Sequence, residues 1–557
     1  MTNDRIISIL LVGLGLVGVL WLRCVWLQAA AQHRYTAVAV TQHRIGEPLR
    51  AQRGAIYDRA GRPLAISIPM PSVFANPRQM TARGDTARQL SGILHRDPRA
   101  IQRRLERDKG FVWVARQVDF SITPMLAALQ RSGVGVLEEP KRFYPHGRLA
   151  SHLLGFVDID ERGLEGLELQ FNGVLKGQDG WRSTLRDARG KRLIGPWTTQ
   201  ADPVGGLELV LTIDSVVQQV AEDTLGWGVK KYHAKGGSII VMDPTTGAVL
   251  AMANAPSFDA NEPAKVPADA RRNRAVTDLF EPGSIFKIVT AAALLEEGRI
   301  TPEEPIFCEN GAYHTVARHT LHDHKPHGTL SFHDVIRLSS NIGTAKAAQR
   351  LKPDELYRYI RAFGFGEPTG IDVPGEVRGL LSPPSRWSKL SPYIIPIGQE
   401  VAVTPIQLAV MTAVAANGGL RVRPYLVERV QRPDGWVIRA QGPSASVRIL
   451  SEETAAILQS MLRSVVESGT GQLANVHGLT VAGKTGTAQK LEPTGRYSHS
   501  RFVASFVGFG PVPDSSFVIV VSVDEPRPLY FGGVVAAPMF KRMVEHLASY
   551  WGASRHG

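Results

Sequence analysis

Three short motifs carry the residue types of a serine acyl-transfer site. The first is Glu281-Pro282-Gly283-Ser284-Ile285-Phe286-Lys287. A serine hydroxyl is a weak nucleophile and needs a base. A lysine three residues further on shares a helix face with it. That lysine can take the serine proton only when it is itself unprotonated, a state that burial and a nearby second cation favour. Pro282 and Gly283 break the chain, so Ser284 is expected at the N-terminus of an apolar helix, Ile285 to Leu295. Backbone N–H groups lack partners there and can steady a developing oxyanion. The second motif is Ser339-Ser340-Asn341, in a helix-start context before Ile342-Gly343. The third is Lys484-Thr485-Gly486-Thr487, placed on a strand. Lys484 is the second cation, and the hydroxyls of Thr485 and Thr487 can hold a carboxylate. Gly486 is expected to leave room for a ligand to approach the backbone.

The elements that must hold these motifs are legible as patterns. The 285–295 helix is hydrophobic nearly all round, which places it in a domain centre. Ser238 to Asp243 and Ala248 to Ala253 are short apolar runs joined by Pro244-Thr245-Thr246-Gly247, a hairpin signature. Three further strands are expected at Thr480–Thr487, Phe502–Phe509 and Phe517–Val523, with a last amphipathic helix over Ala537–Tyr550. The simplest assembly is one antiparallel sheet, built from both ends of the domain and covered by helices. Leu207 to Ile213 reads as a strand, and Asp214 as the N-cap of the helix that follows. Ala201 to Gly206 reads as a linker. From Arg53 to about Asp202, strand-like and helix-like pieces alternate with Gly-rich turns, and residues 32–52 read as a neck.

Length and composition bound the rest. The 557 residues carry 64 Lys plus Arg against 51 Asp plus Glu, a net charge of +13, with 43% hydrophobic residues. A mostly disordered chain is excluded, and the charge favours an anionic surface or polymer as neighbour. Only Cys24 and Cys308 occur, so a disulfide-stapled fold and a Cys-rich zinc module are excluded. Ile6 to Leu22 is an apolar or Gly/Ser run of 17 residues, longer than a signal-peptide core. It is read as an uncleaved anchor, with residues 1–5 cytoplasmic, 6–28 spanning the membrane and the rest outside. The small residues Ala29-Ala30-Ala31 keep a cleaved signal peptide as the alternative.

Order, spacing and context of the three motifs together resemble the class B penicillin-binding proteins, the monofunctional peptidoglycan DD-transpeptidases. The resemblance covers nearly the whole chain. Arg53 to Ala65, Arg142-Phe143-Tyr144-Pro145, His152 to Val157 and Gly163 to Glu168 look like that family's pedestal motifs. Asn273 to Asp278 is similar to the cell-division, FtsI-type branch, and Ala482 to Gln489 with Tyr530-Phe531-Gly532-Gly533 point the same way. The resemblance implies an α+β chain. A single transmembrane helix comes first, then an elongated α/β neck and pedestal over 29–205. The transpeptidase domain over 206–557 follows, with a five-stranded antiparallel sheet like that of the serine β-lactamases. No glycosyltransferase region is read before the pedestal, which sets the chain apart from class A.

The resemblance also implies roles. Ser284 attacks the penultimate D-Ala carbonyl of a stem peptide, and Lys287 takes its proton. Ser339 relays protons to and from the amines, and Asn341 positions Lys287 and the substrate amide. Lys484, Thr485, Gly486 and Thr487 form the substrate-binding strand, and the N–H groups of Ser284 and Thr487 the oxyanion hole. β-Lactams acylate the same serine. No cofactor is implied. The implied partners are a glycan polymerase of the shape, elongation, division and sporulation group, of FtsW type, and other division proteins in the inner membrane. An elongation- or sporulation-specific transpeptidase is the alternative within the class, and a β-lactam sensor or scaffold with little turnover the alternative outside it. A β-lactamase would need a group that activates water, and none is identifiable by sequence. Six histidines, His314, His319, His322, His324, His327 and His333, crowd one segment. Pro326 and Gly328 mark it as a loop, so surface histidines are expected rather than a metal site. An exported domain makes nucleic acid an unsuitable partner.

Overall fold

Alternation along the strands builds the central sheet. In the strand Gly236–Met242, Ile239 and Val241 join one apolar cluster while Ile240 and Met242 join another. Successive side chains of a strand point to opposite faces, so a strand buried on both faces divides its residues in this way. The computed structural model describes residues 3–32, 44–127, 129, 133–186, 192–193, 199–316, 319–492 and 496–554. Part of the expected neck, residues 33–43, lies outside them. Five strands make the sheet: β1 (Gly236–Met242), β2 (Val249–Ala255), β3 (Ala482–Leu491), β4 (Tyr497–Gly510) and β5 (Phe517–Asp524), in the order β2-β1-β5-β4-β3. Every pairing is antiparallel, and strands from both ends of the region meet where β1 pairs with β5. The expected strands are all present; of those near the C-terminus, the first begins two residues later and ends four residues later than expected, and the other two are extended by one to five residues at an end.

The helices take their places by their apolar faces. Helix α1 is Asn3–Ala29, α2 is Ser215–Lys231, α3 is Lys287–Glu296, α4 is Asn341–Ala348 and α5 is Gly532–Ser554. Val217, Ala221 and Leu225 of α2 cover one face of the sheet with Met539, Phe540 and Val544 of α5. Asp214 caps α2 as expected, accepting from the N–H groups of Val216 and Val217. The opposite face packs on the wholly buried helix Pro405–Ala416. Residues Lys287 to Leu294 of α3 are all buried, in keeping with its all-round apolar pattern.

The chain divides into two units, one of Met1–Gln52 with Gly177–Gly206, the other of Arg53–Lys176 with Leu207–Gly557. The first holds α1, whose segment Asp4–Ala29 contains an 18-residue stretch of mean hydropathy 2.3 and is long and apolar enough to cross a membrane. It also holds a four-stranded sheet in which Gly180–Arg186 pairs with Arg44–Leu49, Arg192–Leu193 and Thr199–Ala201. In the second unit, Ile56–Tyr57 lies parallel to Glu208–Leu211, so residues 53–176 share a seven-stranded sheet with strands from after residue 206.

Candidate active site

The nucleophile turn is tighter than a helix start. Gly283–Phe286 is a 3-10 turn, and α3 begins only at Lys287. Residues three apart eclipse one another in a 3-10 helix, so Ser284 and Lys287 still lie on one face. Gly283 has φ +53°, and a Cβ there would stand 3.0 Å from the Thr487 carbonyl oxygen. That glycine lets the turn lie against β3, which brings Ser284 beside Thr487. Ser284 itself is half-buried.

The second motif meets the first through Lys287. Its Nζ donates to the Ser339 carbonyl at 2.7 Å, to Ser339 Oγ at 3.3 Å and to Asn341 Oδ1 at 2.7 Å. Ser340 is the N-cap of α4, its hydroxyl accepting from the Gly343 N–H at 2.9 Å. Ser339 has φ +61°, a left-handed conformation that a side chain rarely adopts. Such strain gathers at functional sites, and here it turns both oxygens of Ser339 towards Lys287.

The third motif completes the cluster. Lys484 Nζ donates to Ser339 Oγ at 2.8 Å, so one hydroxyl stands between two ammonium groups. Both lysines are wholly buried, and among the described residues neither forms an ion pair. Burial pushes Lys287 down to about 7, against the opposing charge of Asp323. Burial also holds Lys484 well below the usual lysine range, and the charge of Lys287 adds to it. Thr485 Oγ1 lies 2.9 Å from Thr470 Oγ1, and Thr487 Oγ1 accepts from the Gly532 N–H at 3.0 Å.

One expectation is corrected. Gly486 does not make room for a ligand: a Cβ there would lie 2.5 Å from Ser505 Oγ and 2.9 Å from the Ile285 side chain. The missing Cβ lets the nucleophile turn pack on β3, so this glycine serves protein packing. Two residues escaped the motif reading. Asp323 binds the second motif, and Thr470 binds Thr485 from the Gly469-Thr470-Gly471 loop. Asp323 was hidden among the histidines and Thr470 belongs to no recognisable pattern. Among the described residues no group of three His, Cys, Asp or Glu side chains is close enough to hold a metal ion. His314 pairs with Thr320, and His324 lies against Phe531.

Comparison with known proteins places this geometry. Residues 237–545 match the family described as penicillin binding protein transpeptidase domain, and residues 48–211 match the penicillin-binding protein dimerisation domain. The chain belongs to the penicillin-binding protein transpeptidases. With a dimerisation region before the catalytic one, it is of the class B type. Stage V sporulation protein D of Bacillus subtilis is 35% identical over 544 residues, covering 96% of this chain and 84% of that protein. Peptidoglycan D,D-transpeptidase FtsI of Escherichia coli is 31% identical over 527 residues, covering 93% and 87%. The crystal structure of penicillin-binding protein 3 from Mycobacterium tuberculosis, complexed with aztreonam, aligns at TM-score 0.72 and 30% identity, covering 91% of this chain and 97% of that one. In this class B transpeptidase, hydrogen bonds join Lys287 of the first motif to Ser339 and Asn341 of the second, and Ser339 to Lys484 of the third.

Proposed function

We propose that this transpeptidase cross-links peptidoglycan stem peptides through an acyl-enzyme on Ser284. The supporting observation is the pair of buried lysines that share the Ser339 hydroxyl beside the Ser284 turn. Lys287, neutral for part of the time near neutral pH, takes the Ser284 proton as Oγ attacks the carbonyl of the penultimate D-Ala. The N–H groups of Ser284 and Thr487 receive the oxyanion. The C–N bond then breaks, and the terminal D-Ala leaves as an amine with a proton delivered through Ser339. An amine of a neighbouring stem peptide attacks the ester, returns a proton by the same route and frees Ser284. Lys484, Thr485 and Thr487 hold the substrate carboxylate, and a β-lactam enters as a mimic of D-Ala-D-Ala. Labelling with a fluorescent penicillin, compared between wild type and Ser284→Ala, tests the nucleophile. A stable adduct on the alanine variant sinks the assignment.

We infer a single-pass protein of the cytoplasmic membrane, its N-terminus inside and residues after the 6–28 anchor outside. The length and hydropathy of α1 support this. N-terminal sequencing of the mature protein that starts near residue 32 would show a cleaved signal instead. The place of work is read as the division septum, beside a glycan polymerase, because the similarity to FtsI covers nearly the whole chain. The higher identity to a sporulation protein favours a second reading, a sporulation-stage transpeptidase. Depletion separates the two: filamentation in growing cells supports the septal reading, and normal growth with failed sporulation overturns it. Exchange of the anchor for an unrelated spanning helix tests the polymerase contact. Unchanged co-purification removes the anchor from that interface.

A further inference from the structure

Asp323 lies outside the three motifs, on the loop between the short strands Thr320–His322 and Thr329–Ser331. Its carboxylate ends on the second motif. Oδ2 accepts from the Ser340 hydroxyl at 2.6 Å, and Oδ1 accepts from the N–H groups of Asn341 at 2.5 Å and Ile342 at 3.0 Å. These N–H groups begin α4 and have no partner inside the helix. The carbonyl of His322, one residue earlier, accepts from Asn341 Nδ2 at 2.9 Å. With Nδ2 committed there, Oδ1 of the same amide is the atom that meets Lys287, at 2.7 Å. Ser339, just before, keeps its left-handed φ of +61°. Such a conformation persists only where surrounding contacts over-determine it.

We propose that Asp323 is a positioning residue of the transpeptidase, clamping the Ser339–Asn341 turn so that the Ser339 oxygens and the Asn341 amide meet Lys287. The proposal rests on the acyl-enzyme reading of Ser284. Asp323 acts in two ways. Its grip comes from three hydrogen bonds to a charged acceptor, the stronger kind. Its field favours the Lys287 ammonium against burial. Among the described residues, the other titratable groups facing this cluster are few. Lys484 lies across the Ser339 hydroxyl, and Cys308 is buried close to Gly343. Lys346 of α4 is paired with Glu309. His322 and His324 flank Asp323 in the chain. Loss of the Asp323 charge thus loosens the turn and at the same time lets Lys287 lose its proton more readily. The first effect slows acylation at every pH, and the second moves its acid limb downward.

The full-length chain in detergent provides the test, with the rate of Ser284 acylation by a fluorescent penicillin followed from acid to alkaline pH and the melting temperature measured alongside. Asp323→Asn keeps the size and one acceptor but removes the charge. Its acid limb is expected to move down by about one pH unit, with a plateau about tenfold lower. Ser340→Ala removes one contact to Asp323, together with the N-cap bond from the Gly343 N–H, and keeps the charge, so its plateau falls while its acid limb stays in place. An Asp323→Asn profile that overlays wild type overturns the proposal. So does a lowered plateau with an unmoved limb in both variants, which marks a structural role alone. An Asp323→Asn chain that melts below the assay temperature overturns it too, because the residue then holds the fold rather than the base. Absence of any adduct on wild-type Ser284 is a distinct result that removes the acyl-enzyme reading itself.

Discussion

Two clusters of buried cations in this protein are satisfied in opposite ways. In the first, the guanidinium groups of Arg53 and Arg142 meet the carboxylate of Glu168 at 2.5 Å and 2.6 Å, all three side chains 1% exposed or less. Arg53 further donates to the Glu161 carbonyl and to Asn172, and Arg142 to the Gly54 carbonyl. In the second, Lys287 and Lys484 are equally buried but, among the described residues, meet only hydroxyl, amide and carbonyl oxygens. A paired guanidinium keeps its charge and ties distant segments together: Arg53 and Glu168 are 115 residues apart. A lysine without a carboxylate in contact gives up its proton more easily, because burial penalises the ammonium. The first arrangement holds structure, and the second makes a base. Residue type fits the division of labour, since arginine stays protonated in proteins while lysine shifts readily when buried.

The largest expected effect breaks the lysine cluster at its target. Ser284→Ala removes all covalent β-lactam labelling while the melting temperature stays near wild type, and intact mass with a thermal scan checks both. Lys287→Ala slows acylation by about 10²–10⁴-fold, the usual worth of a general base. It leaves the fold near intact because no partner charge is stranded, and stopped-flow acylation at fixed pH reads the rate. Breaking the arginine cluster reverses the pattern. Glu168→Ala leaves two buried guanidinium groups uncompensated and lowers stability by about 3–5 kcal/mol. Acylation per folded molecule stays unchanged, so denaturant melts paired with active-site titration separate the two clusters. If Glu168→Ala instead slows acylation as Lys287→Ala does, the contrast between the clusters is wrong.

Two smaller effects sharpen the contrast. Lys287 must be neutral to act, and its pKa is lowered to about 7. Acylation therefore falls about tenfold per pH unit below that value and levels off above it. A flat profile across neutral pH assigns the base elsewhere. Thr470→Val removes the hydroxyl beside Thr485. It is expected to cost about 0.5–1.5 kcal/mol of transition-state binding, a few-fold slower acylation, visible as a raised concentration for half-maximal labelling.

Sequence alone determined the chemistry and its supports. The motif residues name a serine nucleophile, two lysines and carboxylate-binding hydroxyls. The apolar run of α1 and the all-round apolar α3 were readable because burial imposes composition over many residues. The strands of the sheet were readable for the same reason. Tertiary structure decided what depends on single atoms from distant segments. The Ser339 hydroxyl stands between Lys287 and Lys484, residues 197 positions apart, only because the β3 register and the left-handed turn at Ser339 bring them together. Gly486 could be read as an opening for a ligand until Ile285 was seen to fill the space of its missing Cβ. Asp323 and Thr470 carry no local pattern, since hydrogen bonds across the fold leave no periodic trace in the chain. Residues 53–176 share a sheet with strands after 206, a pairing that depends on backbone hydrogen bonds, which any side chains permit. Composition and periodicity record what is buried; which buried atoms touch is settled only when the whole chain packs.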